Sequence, residues 1–348
     1  MIRTRSCRGA LSPLSGFGCP LGPLGLLVCL ASIAGLAAPS AADDPIVLPS
    51  QPAVSPDGKR IAFSWRGDIW TAKVEGGRAK RITTHDARDT RPVYSPDGSQ
   101  IAFVSDRGMG SQVYLVPTGG GEPVAITAHT AGTSVEGWYP DGTHLIVSGT
   151  RDHYWRKPER LFRIKVAEKP EDRGAEALLF DDYGTEPALS PDGKRLLIVR
   201  EGVVWWRKGY VGSQDAQIWL YDLASKQFTK LLATAGGCRW PLWKQAGDGF
   251  YYVGAEKGSA NFYEYDLKSQ SAKRRTSLED DGPVFPAISG DGSTVIFRRL
   301  ADLYRWNPAK NEAPQKIRLT AAADDVADAA KRVSLTKATR AAFSTDGL

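Results

Sequence analysis

The tetrapeptide Ser-Pro-Asp-Gly stands at residues 55–58, 95–98 and 190–193, and Tyr-Pro-Asp-Gly at 139–142. Weaker copies follow: Ala-Gly-Asp-Gly at 246–249, Ser-Gly-Asp-Gly at 289–292 and Ser-Thr-Asp-Gly at 344–347. The aspartates Asp57, Asp97, Asp141, Asp192, Asp248, Asp291 and Asp346 thus recur every 40 to 56 residues. A period of that size belongs to stacked or radially arranged units, each unable to bury its apolar faces alone. The motif itself is a turn. Serine suits its first position, proline presets φ at the second, and glycine suits the fourth. An aspartate there could bind calcium or act as an acid, but its recurrence in every unit favours a turn residue bonded to its own backbone.

Short β-branched and aromatic runs surround each turn, bounded by Gly, Pro and Asp. In the first unit they are residues 52–55, 61–65, 68–74 and 79–83, and in the second 92–95, 101–105, 112–117 and 123–127. After their turns the later units continue with 145–149, 161–166 and 177–180; 196–200, 218–223 and 228–232; 250–254, 262–267 and 273–277; and 295–299, 303–307 and 316–320. Four antiparallel strands about every 45 residues describe a propeller blade. The expected fold is all-β, a six-bladed β-propeller over 46–320. Residues 321–336 are expected as a linker or short helix, and 337–348 as one orphan strand opening a further, truncated repeat. The glycine clusters Gly76-Gly77 and Gly119-Gly120-Gly121 lack a following helix and a Lys-Ser/Thr, so they read as hairpin turns rather than a phosphate loop.

Residues 1–42 have the layout of a signal peptide: Arg3, Arg5 and Arg8, an apolar run from Leu21 to Ala38, then Ser40-Ala41-Ala42. Gly22, Pro23, Gly25 and Gly35 interrupt the run, which favours cleavage over a retained anchor. Val28 before Cys29 disfavours lipidation. Cleavage would remove Cys7, Cys19 and Cys29, leaving Cys238 with no intramolecular partner. The formal charge of +6 falls by three with the leader arginines, too small a surplus to argue for nucleic acid. The expected product is exported, periplasmic or extracellular, without stable membrane insertion after cleavage.

Catalytic signatures are missing. There is no Gly-x-Ser-x-Gly, His-Glu-x-x-His, Cys-x-x-Cys or P-loop, and no cofactor or metal is implied. His85 and His129 sit at equivalent places after two fourth strands and read as loop residues kept by duplication rather than as ligand contacts. Function is expected where the repeat is interrupted. The link between second and third strands is only Arg66-Gly67 in the first blade, but spans 150–160 in the third and 201–217 in the fourth. Such links share one face of a propeller, so the two should be neighbours. They carry Arg151, Tyr154, Trp155, Arg156, Lys157 and Arg160, then Trp205, Trp206, Arg207, Lys208 and Tyr210. Cations among aromatics suit a peptide carboxylate or an acidic partner surface. Equally, the tryptophans could pack onto the blades and the charges solvate the rim.

The Ser-Pro-Asp-Gly blades resemble those of TolB and of tricorn core protease. The stretch Trp206–Ser213, W-R-K-G-Y-V-G-S, followed by Gln217–Leu223, Q-I-W-L-Y-D-L, is similar to blade four of the first propeller of tricorn-like proteins. The resemblance implies an N-terminal six-bladed propeller that filters or channels peptides. In full-length members a seven-bladed propeller, a PDZ domain and a serine-peptidase domain follow. No position here matches their catalytic residues. The paired arginines of the family at the start of blade three also have no counterpart in Thr133–Glu136. The leading expectation is therefore a non-catalytic domain binding peptides or a protein partner, with homo-oligomerisation left open. The alternatives are a TolB-like partner-binding protein of the cell envelope and a propeller enzyme with a loop-assembled metal.

Overall fold

The computed structural model describes residues 43–322, apart from 152–158, 168, 203, 208–209, 256–258 and 311. The leader and the expected orphan strand lie outside the described residues. So does the expected linker, except Ala321 and Ala322.

Six four-stranded antiparallel sheets form from consecutive stretches of chain. Their first strands are Ser50–Val54, Asp89–Tyr94, Ser134–Trp138, Thr185–Leu189, Cys238–Trp243 and Val284–Ile288. Each first strand touches the first strands of the blades before and after it, and the sixth touches the first, so these strands surround the axis of a closed ring.

The second strands show why the chain folds this way. Alternate side chains of a strand point to opposite faces, and here both faces are covered. Ile61 and Phe63 pack toward blade six, while Ala62 packs toward blade two. Ile101 and Phe103 face blade one, and Ala102 and Val104 face blade three. Leu145 and Val147 against Ile146, Leu196 and Ile198 against Leu197 and Val199, and Phe250 and Tyr252 against Tyr251 and Val253 continue the pattern. Val295 and Phe297 against Ile296 complete it. The core is thus a set of slabs, one between each pair of blades. Fully buried side chains such as Phe63, Trp70, Phe103 and Phe297 each contribute ~1.5–3 kcal/mol by leaving water.

The turns behave as their residue types require. Ser55 donates its hydroxyl to Asp57 Oδ1 at 2.6 Å, the Lys59 N–H donates to the same oxygen at 3.1 Å, and the Arg60 N–H donates to Ser55 Oγ at 2.9 Å. Ser95 with Asp97, Ser190 with Asp192 and Ser289 with Asp291 repeat this, and Asp141 accepts the Thr143 N–H at 2.9 Å. Gly58 has φ +68°, a conformation that glycine adopts without strain. Blade five differs by one position. Its turn runs Lys244–Gly247, with the Gly247 N–H donating to the Lys244 carbonyl and the Lys244 N–H to that of Gly249. Ala246 therefore occupies the aspartate position. Asp248 falls one residue later and pairs with Lys244 at 3.2 Å.

The ring closes in a way that differs from the expected sixth outer strand over 316–320. Gln315–Lys316 pairs with Tyr304 and Arg305, but Leu319–Ala321 leaves the blade. It pairs antiparallel with Asp44–Pro45 and parallel with Gly77–Arg78. The Ile46 N–H donates to Leu319 O at 2.9 Å, that of Gly77 to Arg318 O at 2.8 Å and that of Ala79 to Thr320 O at 2.7 Å. Ile46, Leu319 and Ala321 sink into the slab between blades six and one. Ala321 is accordingly part of the propeller rather than of a linker. Gly76 serves this clasp as well as its own hairpin, because a Cβ there would lie 2.4 Å from the Arg318 carbonyl oxygen.

Gly76→Ala, strained at φ +102° and blocked by that carbonyl, is expected to lose about 2–3 kcal/mol. Gly77→Ala, at φ +96° with open space, should lose about 1 kcal/mol. Urea unfolding midpoints check this, and equal losses would contradict the clasp. The Ser95 hydroxyl, then the Ser99 N–H, hold the Asp97 carboxyl down to about 2 from an ordinary 3.8. A depressed carboxyl stabilises the fold above its unfolded value, and that contribution disappears as pH falls through about 2. Ser95→Ala should move the Asp97 midpoint toward 3.8 in a carboxyl NMR titration.

Candidate functional site

The first strands share a defect. Their register with the second strand slips between Ser50 and Ala53, Thr90 and Val93, Val135 and Gly137, Thr185 and Ala188, Arg239 and Leu242, and Val284 and Ala287. A bulge of this kind re-aims a side chain. Gln51, Arg91, Glu186, Trp240 and Phe285 occupy it with φ between +49° and +54°, and Glu136 holds the place in blade three. Side chains rarely take that backbone conformation, and where they do it tends to mark a functional constraint. Proline follows at 52, 92, 187, 241 and 286, where the missing N–H costs no ladder bond. All six bulge residues line a central cavity of about 560 Å³.

Charge is unevenly distributed around this wall. On one side Arg91 Nη1 meets Glu136 Oε1 at 2.8 Å and Ser134 Oγ at 2.5 Å, and Ser148 donates to the same Glu136 oxygen at 2.8 Å. Glu136 holds the Arg91 guanidinium above its usual value. Glu186 accepts from Arg239 Nη1 at 2.9 Å and from the Trp240 N–H at 2.7 Å. Burial pushes the Glu186 carboxyl up, and Arg239 opposes that push. On the other side the wall is aromatic. Trp240 meets Phe285 edge-on at 5.8 Å, and Trp205, from the long loop of blade four, meets Phe285 at 5.0 Å. The Arg298 guanidinium lies over both Trp205 and Phe285 and donates to Ser50 Oγ at 3.3 Å, with burial lowering its pKa. A smaller cavity of about 130 Å³ opens beside this aromatic side, between the blade-four loop and blades five and six.

The residues singled out from sequence divide. Trp206 is 63% exposed and sits edge-on to Trp205 at 5.6 Å. The Arg207 guanidinium lies 4.8 Å over the Tyr210 ring, and both residues line the smaller cavity. Arg151 instead turns into its own blade, pairing with Glu176 and lying over Phe162. Arg160 is buried and donates to the Glu159 carbonyl. The described residues of the two loops thus make different contacts. Tyr154, Trp155, Arg156, Lys157 and Lys208 lie outside the described residues. His85 and His129 each accept a backbone N–H two residues on, at 2.9 and 3.1 Å. The bulge residues were missed. Their signal is the x-Pro pair that stands three residues before the turn in five blades: Gln51-Pro52, Arg91-Pro92, Glu186-Pro187, Trp240-Pro241 and Phe285-Pro286.

Residues 47–312 match a family model described as the tricorn protease N-terminal β-propeller domain. Tricorn protease homolog 1 of Streptomyces coelicolor is 26% identical over 267 residues, covering 75% of this chain and 24% of that protein. A tricorn protease homolog of Saccharolobus solfataricus is 23% identical, covering 73% and 23%. The chain therefore spans about a quarter of the length of these relatives. Among solved structures, that of tricorn protease superposes with a TM-score of 0.65 at 24% identity, over 78% of this chain and 26% of that one. A putative TolB from Agrobacterium tumefaciens gives 0.54 at 20%, over 78% and 90%. Both likenesses are of fold.

Arg239→Met should cost about 3 kcal/mol, the low end for breaking a buried pair, because Glu186 keeps 18% exposure. A carboxyl with a raised pKa favours the fold in its protonated form, so this deficit should shrink as pH falls. Adding Glu186→Gln should recover most of it. Thermal unfolding across pH checks both, and a pH-independent deficit would contradict the assignment.

Proposed function

The chain belongs to the tricorn protease N-terminal β-propeller family, and from that premise we propose that it is a non-catalytic domain that binds peptide segments at the mouth of its central channel. The observation that carries the reading is the two-sided wall. A peptide presents polar backbone and mixed side chains together. The Arg91–Glu136 and Glu186–Arg239 arc offers fixed donors and acceptors, and Trp205, Trp240 and Phe285 offer apolar area opposite. Arginine and tryptophan are the residue types that dominate binding energy at such surfaces. The blade-four loop that supplies Trp205 also supplies Trp206, Arg207, Lys208 and Tyr210. Tyr154, Trp155, Arg156 and Lys157 of the blade-three loop belong to the same proposal, whereas Arg151, paired with Glu176, and the buried Arg160 do not.

The absence of chemistry is part of the reading. Its support is that the family match falls on the propeller portion of much longer relatives. Among the described residues no group of three or more His, Cys, Asp or Glu could hold a metal ion, and no helix is long and apolar enough to cross a membrane. Export, with residues 1–42 as a leader, and a peptide or protein partner in place of nucleic acid complete the proposal.

Calorimetry against a library of unstructured peptides tests the reading. Replacing Trp205 with alanine, or Arg156, Lys157, Arg207 and Lys208 together with alanine, is expected to weaken binding at least tenfold, about 1.4 kcal/mol. Unchanged affinity in both variants would remove these loops from the site. The purified chain is expected to leave fluorogenic peptides uncleaved, and turnover by homogeneous protein would contradict the non-catalytic reading.

A further inference from the structure

We propose that the smaller cavity beside the channel mouth binds an ammonium group carried on an apolar body. Trp205, Tyr210 and Trp240 line it and give it an aromatic, largely apolar wall. Gly236, Gly237 and Gly282 are part of its lining. A Cβ at Gly237 would lie 2.9 Å from the Ala216 nitrogen, and one at Gly282 would lie 2.3 Å from Ala260 Cβ. Glycine at these two places lets the chain pack directly against Ala216 and Ala260 along one side of the cavity space. At about 130 Å³ that space approaches the ~150 Å³ that accommodates a benzene ring. A phenyl or branched alkyl group therefore fits.

The polar side of the cavity selects the sign of the charge. Asp215 accepts the Gly212 and Gly236 N–H groups through Oδ2 at 3.2 and 3.4 Å. Its Oδ1 is buried without a hydrogen-bond partner, and among the described residues no cation pairs with it. A buried carboxylate oxygen left without a donor is costly, and an ammonium is the donor that also cancels its charge. Asp280, which pairs with Arg299 at 3.6 Å, and Asp281 also line the cavity. Of the two arginines in the lining, Arg239 is paired with Glu186 at 2.9 Å, while Arg207 lies over the Tyr210 ring and keeps its charge, so the carboxylates must outweigh one guanidinium.

Two sources present this chemistry in a peptide: an apolar N-terminal residue with its free α-amino group, and a lysine side chain. In naming these sources the proposal rests on the peptide reading, while the cavity itself can be tested without a peptide. Titration of the full chain with 2-phenylethylamine, followed by tryptophan fluorescence and calorimetry, should show saturable binding at least tenfold tighter than N-acetyl-2-phenylethylamine. Asp215→Asn should remove that preference. If Asp215→Asn fails to fold, Asp280→Asn, at a side chain 85% exposed, should weaken amine binding with the fold kept. Equal affinity for the two probes, or binding of neither, would overturn the proposal. So would an amine preference that survives both substitutions. A peptide with free N-terminal Phe, its acetylated form, and an acetylated peptide containing one Lys then separate the two sources. If all three peptides bind alike while the amine probe does not bind, the cavity assignment fails and the peptide reading stands. If no peptide binds, the peptide reading fails.

Discussion

A ring of sheets has no inside until its last sheet covers its first. In this propeller each blade is built from one continuous stretch, so no strand is exchanged between the ends to lock the circle. Closure instead depends on three short segments, Asp44–Ile46, Gly76–Ala79 and Arg318–Ala321, joined by backbone hydrogen bonds at the outer side of blades six and one. Every other element depends on that clasp, because the slab containing Phe63, Trp70, Ile296 and Leu303 stays dry only while the two blades remain together. With one buried cysteine, Cys238, among the described residues, packing and these hydrogen bonds must hold the circle.

The ring also positions the channel wall. Contacts pass from blade to blade at the bulges: Gln51 accepts the Arg91 N–H, Arg91 meets Glu136, Glu186 meets Arg239, Trp240 meets Phe285, and Arg298 returns to Ser50. Five of the six bulge residues hold a left-handed backbone conformation that few side chains adopt. Such conformations persist only where the surrounding structure over-determines them. Closure and channel chemistry are therefore coupled: the clasp keeps the blades at the spacing that these pairs require.

Much of this was legible in the sequence, for identifiable reasons. Turn chemistry is local, so Ser55-Pro56-Asp57-Gly58 and its copies mark the blades along the chain, although the copy at 344–347 lies outside the described residues. Side-chain alternation shows that runs such as Ile61–Trp65 are covered on both faces. The closure was not legible, because Leu319–Ala321 and Asp44–Pro45 are too short to carry a periodic signal and their partner is almost the whole chain away. Blade five misled by one residue, since Lys244-Gln245-Ala246-Gly247 makes the turn geometry without its usual residues and Asp248-Gly249 mimics the motif next door. The loop of blade four drew attention through its composition, but the sequence could not show that Trp205 reaches blade six. The bulge ring had a signal in its repeated x-Pro pairs, and it was hidden by the stronger repeat beside it.

The direct test of the account is native-state hydrogen exchange resolved to single amides. If the clasp closes the ring, the N–H groups of Ile46, Gly77 and Ala79 should exchange only through global unfolding, with the same protection free energy and denaturant dependence as Phe63 and Phe103 at the centre of their blades. Exchange of those three amides at fraying rates, while Phe63 and Phe103 stay protected, would show that the ring holds without the clasp and would contradict the account.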